Sequence, residues 1–262
     1  MVEIGIAQYA PGQDKNANLR QLADVAGQAA GRGAQLLVAP EFAMFTATSM
    51  DHRYVESAEP IDGPFVTALI GLARERQLIV VAGINEAHHD RIFNTIVAVG
   101  PHGLLCHYRK IHLYDAYGFR ESAVVAAGPI VEPATFALGG LTFGLQTCFD
   151  LRFPEVTRRI VDAGADVLLL PAQWVPGPLK EEHWSTLIRA RAIENTMYVA
   201  AADQCAPTGA GRSMLVDPMG VVVAALGEAA GLAVGSASAQ RVAAVRRINP
   251  ALGLRRFGVV ER

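Results

Sequence analysis

The sequence predicts an α/β protein built as a four-layer α-β-β-α sandwich, in which two packed sheets lie between layers of helices. Short, continuously apolar runs alternate with segments of helical spacing, as expected of buried strands covered by helices. The order strand, helix, strand, helix, strand, hairpin occurs once in each half of the chain. The hairpins favour two sheets over the rival architecture, one open doubly wound sheet, because that sheet consists mainly of crossovers.

The first half begins with a strand in which Val2, Ile4 and Ile6 share one face. A helix follows over NANLRQLADVAGQAAGRGA, where apolar residues recur at helical spacing and glycines end the segment. The remaining elements are the strand AQLLVAP, the helix GPFVTALIGLARERQ, the strand LIVVAGI and a hairpin that turns at Gly100–Gly103.

The second half follows a polar loop over residues 116–128 and repeats this order. Its hairpin turns at Gly139–Gly140, and its first helix begins with Pro154 in the first turn. The strand DVLLLPA, the helix EHWSTLIRARAIEN, the strand MYVAAAD and a hairpin turning at Asp217–Gly220 come next. The tail adds the strand GLAVGSA and the amphipathic helix AQRVAAVRRI.

Composition indicates one large domain. The chain of 262 residues is 51% hydrophobic and 18% charged, which excludes a disordered protein. No linker separates the halves, so we expect a single domain over residues 1–262, with a core over 1–236 and a C-terminal tail over 237–262. The net charge of −2 without a basic block argues against a nucleic-acid partner.

Compartment and membrane association are also constrained. No apolar run reaches the ~20 residues of a membrane span, and the N-terminus lacks the basic start and long apolar stretch of a signal peptide. With three cysteines and no secretion signal, we expect reduced thiols in the cytoplasm and no membrane partner.

Reactive side chains follow several of the predicted strands. Glu41 follows LLVAP, Lys110 follows GLLCHYR, Cys148 follows LTFGLQT, and Gln173 and Trp174 follow VLLLPA. Ligands gather at the carboxyl ends of strands in sheets built from crossovers. The acid, the amine and the thiol are therefore predicted to converge in one cleft.

Each of the three reactive residues, taken alone, also has an ordinary interpretation. Cys148 alone fits a small buried hydrophobic residue, Glu41 a helix cap and Lys110 a surface charge. Together they suit acyl transfer from an amide or a nitrile, because a carboxylate can take the thiol proton. Lys110 and the backbone N–H of Phe149 can hold an oxyanion, and the helix dipole near Pro154 would favour the thiolate.

Three segments in order resemble the signatures of the nitrilase superfamily, the carbon–nitrogen hydrolases: APEF, YRKIHLYD and CFDLRFPE. HWSTLIRARAIENTMYVAAADQ also resembles that family, and the likeness extends from the first strand to about residue 236. It implies the sandwich fold, a homodimer or larger homo-oligomer, and a Glu41–Lys110–Cys148 triad. It further implies that Glu121 in GFRES is a second glutamate, which helps to position the substrate and the lysine.

CFDLRFPE resembles the branch of ω-amidases and deaminated-glutathione amidases, whose usual form has tyrosine where Phe149 stands. The resemblance implies hydrolysis of a small linear, carboxylate-bearing amide to an acid and ammonia through a thioester on Cys148, with no metal or organic cofactor. Other members of the superfamily, an N-carbamoyl-amide hydrolase or a nitrilase, remain alternatives. A catalytically silent binding paralogue is a further alternative.

Several residues are candidates for substrate binding. Tyr114, Phe149, Gln173 and Trp174 are predicted to shape the pocket, although ordinary core packing also accounts for aromatic residues. A substrate carboxylate needs a cation, and the loop positions provide three candidates: Arg152, Lys180 and Arg212. For Arg152 we expect instead an ion pair with Asp150 or Glu155.

Overall fold

Two β-sheets packed face to face form the centre of the protein in a computed structural model that describes residues 1–261. The strands of the first sheet are β1 (Val2–Gln8), β2 (Leu36–Val38), β3 (Ile79–His88), β4 (Arg91–Gly100), β5 (Gly103–Arg109), β6 (Val125–Ala126) and β13 (Gly231–Ala237). Those of the second are β7 (Thr135–Leu138), β8 (Leu141–Leu145), β9 (Val167–Ala172), β10 (Tyr198–Asp203), β11 (Met214–Val216) and β12 (Val222–Ala225).

Helices cover the outer face of each sheet. The helices are α1 (Lys15–Gly31), α2 (Arg53–Ser57), α3 (Pro64–Arg76), α4 (Pro154–Asp162), α5 (Lys180–Asn195) and α6 (Ala239–Ile248). α1 and α3 pack on the first sheet, while α4 and α5 pack on the second. This arrangement confirms the predicted four-layer α-β-β-α sandwich.

The two sheets repeat one topology. The strand orders are β13-β1-β2-β3-β4-β5, with β6 beside β4, and β12-β11-β10-β9-β8-β7. β1, β2 and β3 pair in parallel, and β4 and β5 continue antiparallel. β8, β9 and β10 likewise pair in parallel before the antiparallel β11 and β12. The internal repeat predicted from the sequence is therefore present, and a single doubly wound sheet is excluded.

The apolar runs form strands because both of their faces are buried. Val2, Ile4 and Ile6 of β1 pack between the two sheets. Ala7, on the opposite face, joins the core under α1 and α3. A strand with a core on each side gains from apolar residues at every position, which explains the continuous rather than alternating pattern.

The C-terminal segment is part of the same body. β13 pairs antiparallel with β1 from Gly231 to Ala237, one residue beyond the predicted core boundary. Val242 of α6 packs in the core between the sheets. The predicted tail thus contains a packed helix. Elsewhere in the chain, α2 and β6 were not predicted, because they are too short to show a periodic pattern of apolar residues.

Candidate active site

Glu41, Lys110 and Cys148 lie where strands of the two sheets end, and they line one cavity. Glu41 follows β2, Lys110 follows β5, and Cys148 begins a short 3₁₀ segment, Cys148–Arg152, after β8. Their exposed fractions are 1%, 2% and 7%. Glu121, in a 3₁₀ turn after β5, is 4% exposed and lines the same cavity.

Lys110 is the shared partner of the two glutamates. Its Nζ lies 3.0 Å from Oε1 of Glu41 and 2.9 Å from Oε2 of Glu121. Burial by itself opposes the charge of Lys110, but the carboxylates of Glu121 and Glu41 outweigh it and raise the pKa of Lys110 well above its ordinary value. Lys110 is therefore a fixed ammonium beside the cavity. Burial, reinforced by the charge of Glu41, raises the pKa of Glu121.

Asn94 of β4 joins the two carboxylates and was not identified from the sequence. Its Nδ2 donates to Oε1 of Glu41 at 2.6 Å and to Oε1 of Glu121 at 3.1 Å. Its backbone oxygen accepts from the N–H of Lys110 at 2.9 Å. The signal available in the sequence was an asparagine within the apolar strand RIFNTIVAVG. The structure buries this side chain fully, and a buried polar group needs hydrogen-bond partners.

The remaining contacts of Glu41 fix its carboxylate and its backbone. Oε2 accepts from the backbone N–H of Gln173 at 2.6 Å. The backbone oxygen accepts from Nε2 of Gln204 at 2.8 Å. A Cβ on Gly83 would lie 2.4 Å from the backbone nitrogen of Phe42. Only glycine, which has no Cβ, therefore allows β3 to approach the loop after β2 this closely.

Cys148 has a left-handed backbone, with φ at +42°, which is costly for a residue with a Cβ and is typical of functional sites. Its Sγ lies 3.5 Å from the backbone oxygen of Gln173. Thr147 anchors the turn by donating its hydroxyl to the backbone oxygen of Pro171 at 2.9 Å. The N–H of Phe149 lies in the first turn of the 3₁₀ segment, where no earlier carbonyl of that segment can accept from it.

The surroundings of Cys148 favour the protonated thiol, contrary to the expectation that a helix dipole would favour the thiolate. Burial, and then the charge of Glu41, raise the pKa of Cys148 well above its ordinary value, and Lys110 offsets only part of this. α4 begins at Pro154, so the 3₁₀ segment Cys148–Arg152 separates the cysteine from that helix along the chain.

The four residues predicted to shape the pocket all line the cavity beside Cys148: Tyr114, Phe149, Gln173 and Trp174. Tyr114 and Phe149 meet edge to face, with ring centroids 5.0 Å apart. The backbone N–H of Trp174 donates to Oδ1 of Asp203 at 2.7 Å, which holds the loop that carries Gln173. Asp203 is fully buried, and burial raises its pKa well above the ordinary value.

Two of the three candidate cations reach this cavity. Arg152 and Lys180 line it, whereas Arg212 is exposed and is not among the lining residues. The expected ion pair of Arg152 with Asp150 or Glu155 is wrong. The carboxylate of Asp150 instead accepts from the hydroxyl of Tyr108 at 2.7 Å and the backbone N–H of His112 at 3.0 Å, and so ties the cysteine turn to the segment after Lys110.

Across residues 1–261, no group of three or more His, Cys, Asp or Glu side chains is placed to hold a metal ion. Cys106, Cys148 and Cys205 are unpaired. None of the helices in the described range combines the length and the apolar character needed to cross a membrane.

Comparisons with known proteins agree with this arrangement. The family model for carbon-nitrogen hydrolases matches residues 3–247. A hydrolase of Mycobacterium tuberculosis is 39% identical, and the match covers 94% of this chain and 92% of that hydrolase. The deaminated glutathione amidase of Escherichia coli O157:H7 is 37% identical over 93% of this chain and 92% of its own length.

A solved structure adds a chemical detail. A variant of an amidase from Nesterenkonia sp. AN1 is 27% identical, with a TM-score of 0.83 over 97% of this chain and 94% of that chain. In it, the acetamide moiety of fluoroacetamide is covalently added at the active-site cysteine. With its two repeated sheets, its cavity at the strand ends and a family match over nearly all of its length, the chain belongs to the carbon-nitrogen hydrolase family.

Proposed function

We propose that the protein is a thiol-dependent amidase that hydrolyses a small linear amide to a carboxylic acid and ammonia. One observation carries the proposal: a buried thiol, carboxylate and ammonium line a single cavity in a chain of the carbon-nitrogen hydrolase family. The amidase names of its relatives, and the covalent adduct on the cysteine of the Nesterenkonia amidase, support the same chemistry.

The first half of the reaction forms a thioester. As Sγ of Cys148 attacks the amide carbon, the thiol proton moves to the carboxylate of Glu41, so the total charge of the site does not change. The negative charge moves to the carbonyl oxygen, where Lys110 and the N–H of Phe149 stabilise it. Glu41 then gives the proton to the leaving nitrogen, the C–N bond breaks, and ammonia departs.

The second half restores the enzyme. Water attacks the thioester carbon while Glu41 takes its proton, and the same two donors hold the second oxyanion. The C–S bond breaks, the carboxylic acid leaves, and the proton returns to the sulfur. The raised pKa of Cys148 supports this order, because the sulfur loses its proton only as the new bond forms.

Glu121 and Asn94 act as positioning residues. Glu121 shares the ammonium of Lys110 with Glu41, and Asn94 donates to both carboxylates. The Lys110 ammonium is therefore held between fixed oxygens and stays charged through both half-reactions. This role for Glu121 agrees with the second glutamate that the family resemblance implies.

Replacement of the nucleophile tests the proposal. We expect Cys148→Ala to lower ammonia release from small amides by at least about 10³-fold, since only binding and oxyanion stabilisation remain. The wild-type protein mixed with substrate and quenched during turnover should show an acyl adduct on the peptide containing Cys148. Cys205→Ala is the matched control, because Cys205 does not line the cavity, and it should retain activity. Amide hydrolysis that survives Cys148→Ala would refute the mechanism.

Release of carbon dioxide separates the related activities. An N-carbamoyl-amide hydrolase releases carbon dioxide along with ammonia, and a nitrilase consumes nitriles. We expect the protein to release ammonia without carbon dioxide from linear amides. Carbon dioxide from N-carbamoyl amino acids, or faster turnover of nitriles than of amides, would contradict the proposed substrate class.

We also propose that the protein is a homodimer or larger homo-oligomer that works in the cytoplasm. The chain from the last residue of α6 onward supports an assembly, because it exposes several large apolar side chains: Ile248, Leu254, Phe257 and Val260. A nucleophilic thiol supports a reducing compartment. Light scattering should give at least twice the mass of one chain, and fractionation of cells expressing the full chain should recover it with the cytoplasmic proteins.

A further inference from the structure

Asp203, at the end of β10, is a buried acid for which the proposed reaction has no use. It is fully buried, and no lysine, arginine or histidine of residues 1–261 forms an ion pair with it. Burial raises the pKa of Asp203, and hydrogen bonds from backbone N–H groups oppose this rise. A buried carboxylate without a cation is costly, so its oxygens need well-placed donors.

Two backbone N–H groups from different loops supply those donors. Oδ1 of Asp203 accepts from the N–H of Trp174 at 2.7 Å, and Oδ2 accepts from the N–H of Ala210 at 3.2 Å. A carboxylate offers an acceptor at both positions, whereas an asparagine would turn its NH₂ group toward one of the two donors. The side chain of Asp203 is therefore matched to hold both loops.

The donor of Trp174 belongs to the same peptide group as the carbonyl that contacts the nucleophile. This planar group joins the C=O of Gln173 to the N–H of Trp174, so the two move together. On its other side, Sγ of Cys148 donates to the carbonyl oxygen of Gln173 at 3.5 Å. A negative charge at the N–H end also polarises the peptide and strengthens the carbonyl as an acceptor. Asp203 thus acts on the thiol through one rigid unit.

The same loop also fixes the proposed base. The N–H of Gln173 donates to Oε2 of Glu41 at 2.6 Å. Gln204, the residue after Asp203, donates from Nε2 to the backbone oxygen of Glu41 at 2.8 Å. The backbone of Gln173 therefore holds the base at its N–H and the nucleophile at its C=O, and the end of β10 holds that backbone.

We propose that Asp203 is a positioning residue, which orients the Gln173–Trp174 peptide so that Glu41 and Cys148 stay in place for proton transfer between them. The inference rests on the proposed function, because that reaction moves the thiol proton to Glu41. Asp203 does not line either part of the cavity, so it acts through the peptide and does not touch the substrate.

Replacement by asparagine tests the positioning role. We expect Asp203→Asn to lower kcat for small amides by about 10- to 100-fold, the effect of losing a hydrogen bond to a charged group. KM should stay nearly constant, because no contact with the substrate is removed. Asp217→Asn is the matched control, since Asp217 is also a buried acid that accepts backbone N–H bonds but does not line the cavity. A wild-type kcat in Asp203→Asn, or an equal loss in Asp217→Asn, would overturn the proposal.

A second substitution guards against a folding defect. Asp203→Ser keeps one acceptor and brings no NH₂ group toward the N–H of Ala210, so we expect it to fold and to lose kcat in the same way. Denaturant unfolding shows whether each variant is folded under the assay conditions. A folded Asp203→Ser protein with wild-type kcat would overturn the positioning role, while hydrolysis dependent on Cys148 would leave the proposed function standing.

The reactivity of Cys148 tests the role without turnover. Burial, then the charge of Glu41 and, less strongly, that of Asp203 raise the pKa of Cys148. Asp203→Asn removes one of these charges and releases the hold on the other, so iodoacetamide labelling of Cys148 should have its midpoint at a lower pH. The shift should be smaller when Glu41→Gln is already present.

The two backgrounds separate positioning from charge alone. Equal shifts with Glu41 and with Glu41→Gln would show that Asp203 affects the thiol only by its charge, which would overturn the proposal. An unchanged midpoint in Asp203→Asn would overturn it as well. A shift that depends on Glu41, in a protein that hydrolyses no amide, would support the positioning role and refute the proposed function.

Discussion

At the scale of single residues, the charge of Glu41 has two opposite effects on Cys148. The carboxylate can accept the thiol proton, yet its negative charge, together with burial, raises the pKa of the sulfur and keeps the thiol protonated. The pair is therefore suited to proton transfer during attack, and a thiolate does not form in advance. A protonated resting thiol is also a weak nucleophile, which protects it from adventitious reagents.

The effect of Glu41 on the pKa of Cys148 can be separated from its effect on turnover. Glu41→Gln removes a negative charge, so we expect the pKa of Cys148 to fall, while amide hydrolysis is lost with the base. Iodoacetamide labelling of the Cys148 peptide, followed by mass spectrometry across pH, should have its midpoint at a lower pH than in wild type. Glu56→Gln, an exposed carboxylate on α2, should leave the midpoint unchanged. A midpoint that is unchanged or higher in Glu41→Gln would show that another group sets this pKa.

At the scale of elements, the site depends on how closely the strands and loops approach each other. β3 lies against the loop after β2, and a Cβ at Gly83 would meet Cα of Glu41 at 2.8 Å. The N–H of Gly83 donates to the backbone oxygen of Pro40 at 3.2 Å, so this approach also carries a hydrogen bond. The position of the Glu41 carboxylate is therefore set by the backbone of another strand.

A single methyl group tests this dependence. Gly83→Ala should displace the backbone of Glu41, lower amidase activity and destabilise the fold by about 1–3 kcal/mol. Gly71→Ala is the matched control, because Gly71 lies in α3 with open space around it and should gain roughly 0.5–1 kcal/mol. Denaturant unfolding and ammonia release would measure both effects. Full activity in Gly83→Ala would show that the Glu41 loop moves without consequence.

At the scale of the whole molecule, the repeated topology explains why distant residues meet. In both sheets, strands end at the same cavity. Residues after β2, β5, β8 and β9 therefore converge there, although they are far apart in the chain. The C-terminal strand closes the open edge of β1, and α6 contributes Val242 to the core between the sheets. The C-terminal segment is thus needed by the fold that carries the site.

The contribution of α6 to stability can be measured directly. Val242 is 2% exposed, so Val242→Ala should lower the free energy of unfolding by about 1–3 kcal/mol through lost burial and the cavity left behind. Arg247→Ala, at an exposed position of the same helix, should change it by no more than about 0.5 kcal/mol. Equal effects of the two substitutions in denaturant unfolding would indicate that α6 is not packed as described.

Local sequence patterns were sufficient for every helix and strand except α2 and β6, and for the residues at strand ends. The turn at Gly139–Gly140 and the helix start at Pro154 were both predicted, because glycine and proline act through their own backbone preferences. The role of Asn94, and the failure of Arg152 to pair with Asp150 or Glu155, could not be predicted. Both depend on which side chains from other elements lie next to them.

The sequence alone therefore determined the two-sheet architecture, its internal repeat and the residues proposed for the site, since each follows from periodicity, turn chemistry or the family motifs. Only the tertiary structure decided that Asn94 joins two carboxylates, that Arg152 lacks the expected acidic partner and that Cys148 holds its proton. Hydrogen bonds, charge and burial act through space, so a pKa or an unpaired cation is a property of neighbours that the chain brings together only on folding.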